Sequence, residues 1–418
     1  MDIIIRDIAC LAGIEEKPLK FRAGKEMSEL NTLGNAYLLL SGGLIKDYGP
    51  MDCVPDVDFS QVKIITAEGR CVLPSFCDPH THIVYAGSRD REFVDRISGL
   101  SYEEIAARGG GILNSAKLLH LTSDDDLFTM AMKRINEIIS QGTGAVEIKS
   151  GYGLNTEDEL KMLRVIRRIK ENSLIEVKAT FLGAHSIPEE YRQHRDRYID
   201  LIINEMIPAI AAENLAVYID VFCDRGFFSV EETEKILQAG LKYGLIPKLH
   251  ANELGFTGGV QTGIKYGALS VDHLEHAGND EIENLKGSDT MPTLLPGSAF
   301  FLGLPDPPAR KMIDSGLPVA LASDYNPGSC PSGNMKLVMS LACIRLKMSP
   351  AEALNAVTIN AAYAMGLSET HGTITRGKAA CVQITKPVPS YEFLPYAFGS
   401  QLTESVILKG VHINQEGS

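Results

Sequence analysis

The chain has no surplus of positive charge, no paired-cysteine motif, no long uncharged apolar run and no basic leader segment. Lys and Arg total 40 against 53 Asp and Glu, a formal net charge of −13. Phosphate backbones demand clustered Lys and Arg, so nucleic acid is not an expected partner. The eight cysteines (Cys10, Cys53, Cys71, Cys77, Cys223, Cys330, Cys343, Cys381) form no CxxC pair and lack the density of a disulfide scaffold. They read as the reduced thiols of a cytoplasmic protein. No uncharged apolar stretch is long enough to span a bilayer, so no membrane association is expected. The opening MDIIIRDIAC lacks the basic and apolar regions of a secretory signal. The triplet Gly109-Gly110-Gly111 has neither a following Lys-Ser nor GxGxxG spacing, which removes a phosphate cradle. It reads as a flexible loop placed to cover a substrate.

What is present is the composition of an ordinary globular enzyme, 44% apolar and 22% charged. At 418 residues the chain exceeds what one core usually supports, so a large catalytic domain with a smaller appendage is expected. Residues 1–72 carry short β-like runs, Tyr37–Leu40 and Val62–Thr66, broken by Gly and Pro turns. Residues 376–418 look alike, with runs at Cys381–Thr385 and Ser405–Leu408. Two β-rich ends around a different middle predict one small β-sandwich built from both termini; the alternative is two unrelated tails.

Between them, over 73–375, short apolar runs alternate with amphipathic stretches. The runs are Val72–Asp78, Ala145–Lys149, Glu176–Leu182, Val217–Phe222, Ile246–His250, Ser270–His273, Thr290–Leu294 and Val319–Ser323. Helical spacing recurs at Asp124–Ser140, Thr156–Lys170, Val230–Tyr243 and Pro308–Asp314. Eight strand-helix repeats predict an α/β fold closed as a (β/α)₈ barrel, whose catalytic groups stand at the C-terminal strand ends.

Polar clusters do follow the runs. Strand one ends in Asp78-Pro79-His80-Thr81-His82, and side chains two apart share a face, so His80 and His82 aim two imidazoles at one point. An HxH pair alone is weak, since nearby histidines often cap turns or bond in cores. With His250 ending strand five and Asp324 after strand eight, it becomes a candidate metal set with an open position for water. Glu253, three residues past His250, is the expected general acid/base. The plainer alternative is a surface carboxylate. His273 either acts on the same water or holds Asp324 from behind.

With Glu147–Leu154 (EIKSGYGL), Phe181–His185 (FLGAH), Asp272–His276 (DHLEH) and Ser323–Ser329 (SDYNPGS), these blocks resemble the amidohydrolase superfamily. Within it they are most similar to the branch that hydrolyses 4-imidazolone-5-propanoate to N-formimidoyl-L-glutamate in histidine degradation. The resemblance implies one zinc or iron ion per subunit on His80, His82, His250 and Asp324, and a homodimer. Glu253, His273 and Asp324 are the expected catalytic residues, with the proton moved by each left open. The resemblance also implies substrate contacts from Arg89, Tyr152, His185 and Glu253, with Asn326, Gly328 and Ser329 on the product. Residue by residue, Arg89 is otherwise a solvated loop cation, Tyr152 a packed turn residue between glycines, and His185 a helix cap. Lys149 lies on strand two, not on strand four where binuclear relatives place a bridging lysine. Two positions depart from the family pattern: Ser75 stands in Pro-Gly-Phe, and Cys381 in Gly-Lys-x-Ala-Asp. The rival readings are a nucleobase-like ring deaminase of the same superfamily and a non-catalytic scaffold. An arginine at the pocket argues against the first, retention of all candidate ligands against the second.

Overall fold

Eight parallel strands form the centre of the protein in a computed structural model that describes residues 2–56, 60–100, 104 and 110–414. In spatial and chain order they are Phe76–Thr81, Thr143–Lys149, Glu176–Ala184, Tyr218–Cys223, Ile246–Ala251, Ser270–His273, Met291–Leu294 and Ala320–Leu321. Strand eight is two residues long, and the barrel is joined beyond its end. There Thr81 bridges Tyr325, the His82 amide donates to the Tyr325 carbonyl (2.9 Å), and the Asp324 amide donates to the His80 carbonyl (3.0 Å). The closure seam is thus built from the candidate ligands' own backbone.

Alternation explains the two faces of each strand. Val146, Ile148, Ile219, Val221 and Leu249 join the apolar layer beneath the helices, with Ile135 and Ile166. Their neighbours Glu147, Lys149, Asp220, Lys248 and His250 are buried polar groups. Helices Asp124–Ser140, Thr156–Asn172 and Val230–Lys242 begin where the Ser123, Asn155 and Ser229 side chains accept from the backbone amides three residues on. No helix among the described residues is long and apolar enough to cross a membrane.

Both termini build the second layer. A four-stranded sheet (Leu44–Pro50, Ala36–Ser41, Asp2–Ile8, Val62–Thr66) faces a six-stranded one (Val411–Asn414, Thr403–Leu408, Val382–Pro387, Arg70–Pro74, Cys10–Ala12, Thr32–Leu33). Ile3, Ile5, Leu38 and Leu40 meet Val72, Val382, Ile384 and Ile407 between them. The tails are therefore one structure. The run expected as one strand, Val72–Asp78, is two: Arg70–Pro74 pairs with Val382–Pro387 in the terminal sheet, and Phe76–Thr81 opens the barrel. The expected boundary after residue 72 falls inside Arg70–Pro74. Hydropathy hides the switch because both strands are buried; Ser75, donating to the Cys381 carbonyl (3.0 Å), marks it. Gly109 of the glycine triplet lies outside the described residues.

Candidate active site

His80, His82, His250 and Asp324 are each at most 2% exposed and converge inside the barrel mouth. Nε2 of His80 and Nε2 of His82 lie 3.3 Å apart, and both face Asp324 Oδ1, at 3.6 and 3.7 Å. His250 places a ring nitrogen within 4.8 Å of a nitrogen of His80 and of His82. The donor set fits a cation chemically. His80 Nδ1 meets Asp272 (2.7 Å) and His250 Nδ1 meets Asp220 (3.0 Å), so both rings turn Nε2 inward, and that of His250 is buried without a partner. Burial, with Lys149 and the neighbouring rings, holds the His80 imidazole well below its ordinary pKa. Burial and His185 do the same for His82, so both offer neutral lone pairs. Ser329 Oγ donates to Asp324 Oδ2 (2.8 Å), leaving Oδ1 free to face the histidines.

The backbone enters the left-handed region at Asn252 (φ 57°), His273 (84°), Leu274 (68°) and Asp324 (57°), all non-glycine residues at strand ends. Such conformations cost roughly 1–3 kcal/mol each and persist where the surroundings enforce them. Here they bend the chain over the mouth. After Asn252, the Glu253 and Leu254 amides both donate to Asp224 Oδ2 (2.7 and 2.9 Å), and His276 Nδ1 meets the Glu253 carbonyl (2.9 Å). Asp224, at the end of strand four, is therefore the cap that holds the Glu253 turn.

Glu253 Oε2 lies 3.7 Å from His273 Nε2, and His273 Nδ1 lies 3.6 Å from Glu275. Burial raises the Glu253 carboxyl to about 8, Glu275 and Asp324 adding to the shift and His273 opposing it. For His273 burial works against the charge, but Glu253 and Glu275 outweigh it and raise its pKa. A carboxyl and an imidazole so placed are candidates for acid–base work.

Glu253, His273, His82, His250 and Asp324 line one cavity of about 460 Å³ together with Arg89, Tyr152, His185, Asn326, Gly328 and Ser329. His185 stacks on His82 (5.1 Å, 12°), and its Nδ1 meets the Gly151 carbonyl (3.0 Å). Burial lowers it to about 3, so it is a neutral wall. Tyr152 tilts against both rings, at 5.9 Å from His82 and 5.4 Å from His185. Phe222 and Phe227 stack (4.0 Å) on the apolar side. Arg89 pairs with Glu92 (2.6 and 2.8 Å), which also accepts from the Gly111 amide (3.1 Å) and Asn114 (3.2 Å). A Cβ on Gly328 would stand 2.0 Å from Arg89 Nη1, so only glycine lets the guanidinium lie there. Asn326 Oδ1 accepts from the Gly328 and Ser329 amides (2.7 and 2.8 Å) and shapes that turn.

Every site residue expected from the sequence lines this cavity except His80, which is fully buried beside His82. Sequence reasoning missed Asp220, Asp224, Asp272, Glu275 and Glu92. The available signal was charge in the middle of apolar runs, as at Asp220, where burial demands a partner.

Strand-end histidines and an aspartate around the mouth of a (β/α)₈ barrel define a hydrolase class, and residues 71–411 match the amidohydrolase family: the chain belongs to that family. Within it, the chain belongs with the imidazolonepropionases. It is 56% identical over 410 residues to imidazolonepropionase of Flavobacterium johnsoniae, covering 98% of this chain and 99% of that protein. The proteins of that name from Flavobacterium psychrophilum and Christiangramia forsetii are 55% and 54% identical over the same shares of chain. Among solved structures, zinc-complexed atrazine chlorohydrolase from Arthrobacter aurescens shares the fold (TM-score 0.73, 16% identity, 99% of this chain and 95% of that one). So does a zinc-bound adenosine deaminase from Xanthomonas campestris (TM-score 0.72, 14% identity, 98% and 92%). Family membership and the histidine clusters together point to a metal ion.

Proposed function

We propose that this enzyme hydrolyses 4-imidazolone-5-propanoate to N-formimidoyl-L-glutamate, with one zinc or iron ion held by His80, His82, His250 and Asp324. The observation that carries the reading is Arg89, a guanidinium on the wall of the same cavity as the histidine cluster. A substrate whose planar ring reaches the histidines while its propionate reaches Arg89 satisfies both ends. A cation bound there supplies Lewis acidity, polarising the ring carbonyl and making water acidic enough to attack near neutral pH.

The chain's own groups do the rest. Glu253 takes a proton from the attacking water and returns it to the ring nitrogen as the carbon–nitrogen bond breaks; His273 holds the proton between them. Asp324, fixed by Ser329 and by the hydrogen bond from its amide to the His80 carbonyl, keeps its free oxygen on the reacting side. Tyr152 and His185 flank the ring, and Asn326, Gly328 and Ser329 shape the wall against the product. The apolar face of Phe222 and Phe227 excludes water.

The decisive assay adds 4-imidazolone-5-propanoate and follows loss of its ultraviolet absorbance, with chelated enzyme as control. Absence of turnover with the metal fully loaded would transfer the case to a ring deaminase, which needs no arginine for a carboxylate. Metal analysis of the purified protein decides against a non-catalytic scaffold and identifies the ion. All eight cysteines are free thiols, which supports a cytoplasmic setting. The resemblance suggests a homodimer, and sedimentation tests it.

A further inference from the structure

Below the histidines lies a set of charges that the reaction does not touch. Lys149 is fully buried, with Nζ 2.8 Å from Glu147, 2.7 Å from Asp220 and 3.4 Å from Asp272. Those last two carboxylates are the acceptors for Nδ1 of His250 and of His80. Each is tied on its other side as well: Asp220 Oδ1 accepts from the His250 amide (3.0 Å), Asp272 Oδ1 from Ser270 (2.5 Å). Glu147 accepts from Thr180 (2.6 Å) and pairs with Lys248, whose ammonium also meets the carbonyl of Pro79 (3.2 Å), the residue before His80. Two lysines and three carboxylates leave a formal charge of 2 − 3 = −1 on strands two, four, five and six.

We infer that Lys149 is a positioning residue: by clamping Asp220 and Asp272 together it fixes the tautomer and ring orientation of His250 and His80 at once. The inference rests on the metal-site reading and deepens it. An imidazole ligates through the nitrogen that carries no proton, so a carboxylate held against Nδ1 keeps the proton there and Nε2 bare. Two ligands from strands one and five depend here on a single ammonium from strand two. Lys149 also has a competing effect of opposite sign. As a bare positive charge it repels a cation, and its removal would then tighten metal binding. Positioning predicts the reverse.

The test is zinc affinity of the full chain, measured by competition with a chromogenic chelator, for wild type and K149M. The expected result is at least about tenfold weaker binding in K149M, the scale on which outer partners of ligating histidines act. A second readout needs no metal: ring-nitrogen NMR of the metal-free protein shows His80 and His250 protonated at Nδ1 in wild type and redistributed toward Nε2 in K149M. Should K149M not fold, K149M/E147Q removes one charge of each sign, keeps the cluster at −1 and asks the same question. Unchanged or tighter zinc binding with unchanged tautomers overturns the inference and leaves the metal site standing. A wild-type chain that binds no zinc overturns both.

Discussion

The role proposed for Glu253 rests on where its carboxyl sits, buried beside His273 and Glu275 with a pKa raised to about 8. The folded, metal-free chain keeps the proton between the ordinary 4.5 and about 8, where the unfolded chain has lost it. That stabilisation is whole below 4.5 and disappears as pH climbs through 8. In E253Q the amide stays neutral throughout, so melting of the metal-free variant should fall less between about pH 5 and about pH 9 than that of the parent. Turnover by E253Q should drop about 10²–10⁴-fold, and the parent's ascending pH limb should lie at or below 8, because a cation nearby favours the carboxylate. Arg89 gives the complementary expectation: R89A weakens a propionate-bearing ligand by ~1.5–3 kcal/mol, seen as a raised KM, while metal content stays whole. Unchanged KM would count against the imidazolone substrate. Most of this site was legible because His80, His82, His250, Glu253 and Asp324 follow apolar runs at strand ends. Asp220 and Asp272 were not, because a carboxylate that serves a histidine from behind leaves no spacing of its own.

Among the elements, the switch from terminal sheet to barrel at Ser75 turns on fit as well as pairing. A Cβ on Gly144, at the start of strand two, would meet Ser75 Oγ at 2.1 Å and Cβ at 2.6 Å. G144A should therefore cost about 1–3 kcal/mol, and S75G in the same chain should recover most of it. Equal melting temperatures for G144A and G144A/S75G would show the two positions to be uncoupled. The two departures from the family pattern are neighbours here, the Ser75 amide donating to the Cys381 carbonyl. Strand and helix existence was readable from period and caps, as for Asp124–Ser140, where expected and observed bounds coincide. Two kinds of element escaped. Asp2–Ile8 was not picked out as a strand, and Val319–Ser323 shrinks to Ala320–Leu321, because seam hydrogen bonds pass to residues beyond it.

At the scale of the whole molecule, barrel closure and the proposed cation site share residues, since the seam bonds run between His82 and Tyr325 and between Asp324 and His80. Stripping the metal with a chelator should lower the melting temperature, and zinc or iron should restore it; a cation at 1,000 times its Kd is worth about 4.1 kcal/mol. An unmoved melting curve would mean the ion does not hold the seam. The six-stranded sheet carries a different consequence. Arg70–Pro74 leads straight into the first barrel strand, yet its partner Val382–Pro387 comes more than 300 residues later. A ribosome therefore delivers the whole barrel before that edge can be covered. Until then the edge of Arg70–Pro74 opposite Cys10–Ala12 lacks its partner, the kind of open apolar strand edge that chaperones bind and stalled synthesis leaves prone to aggregate.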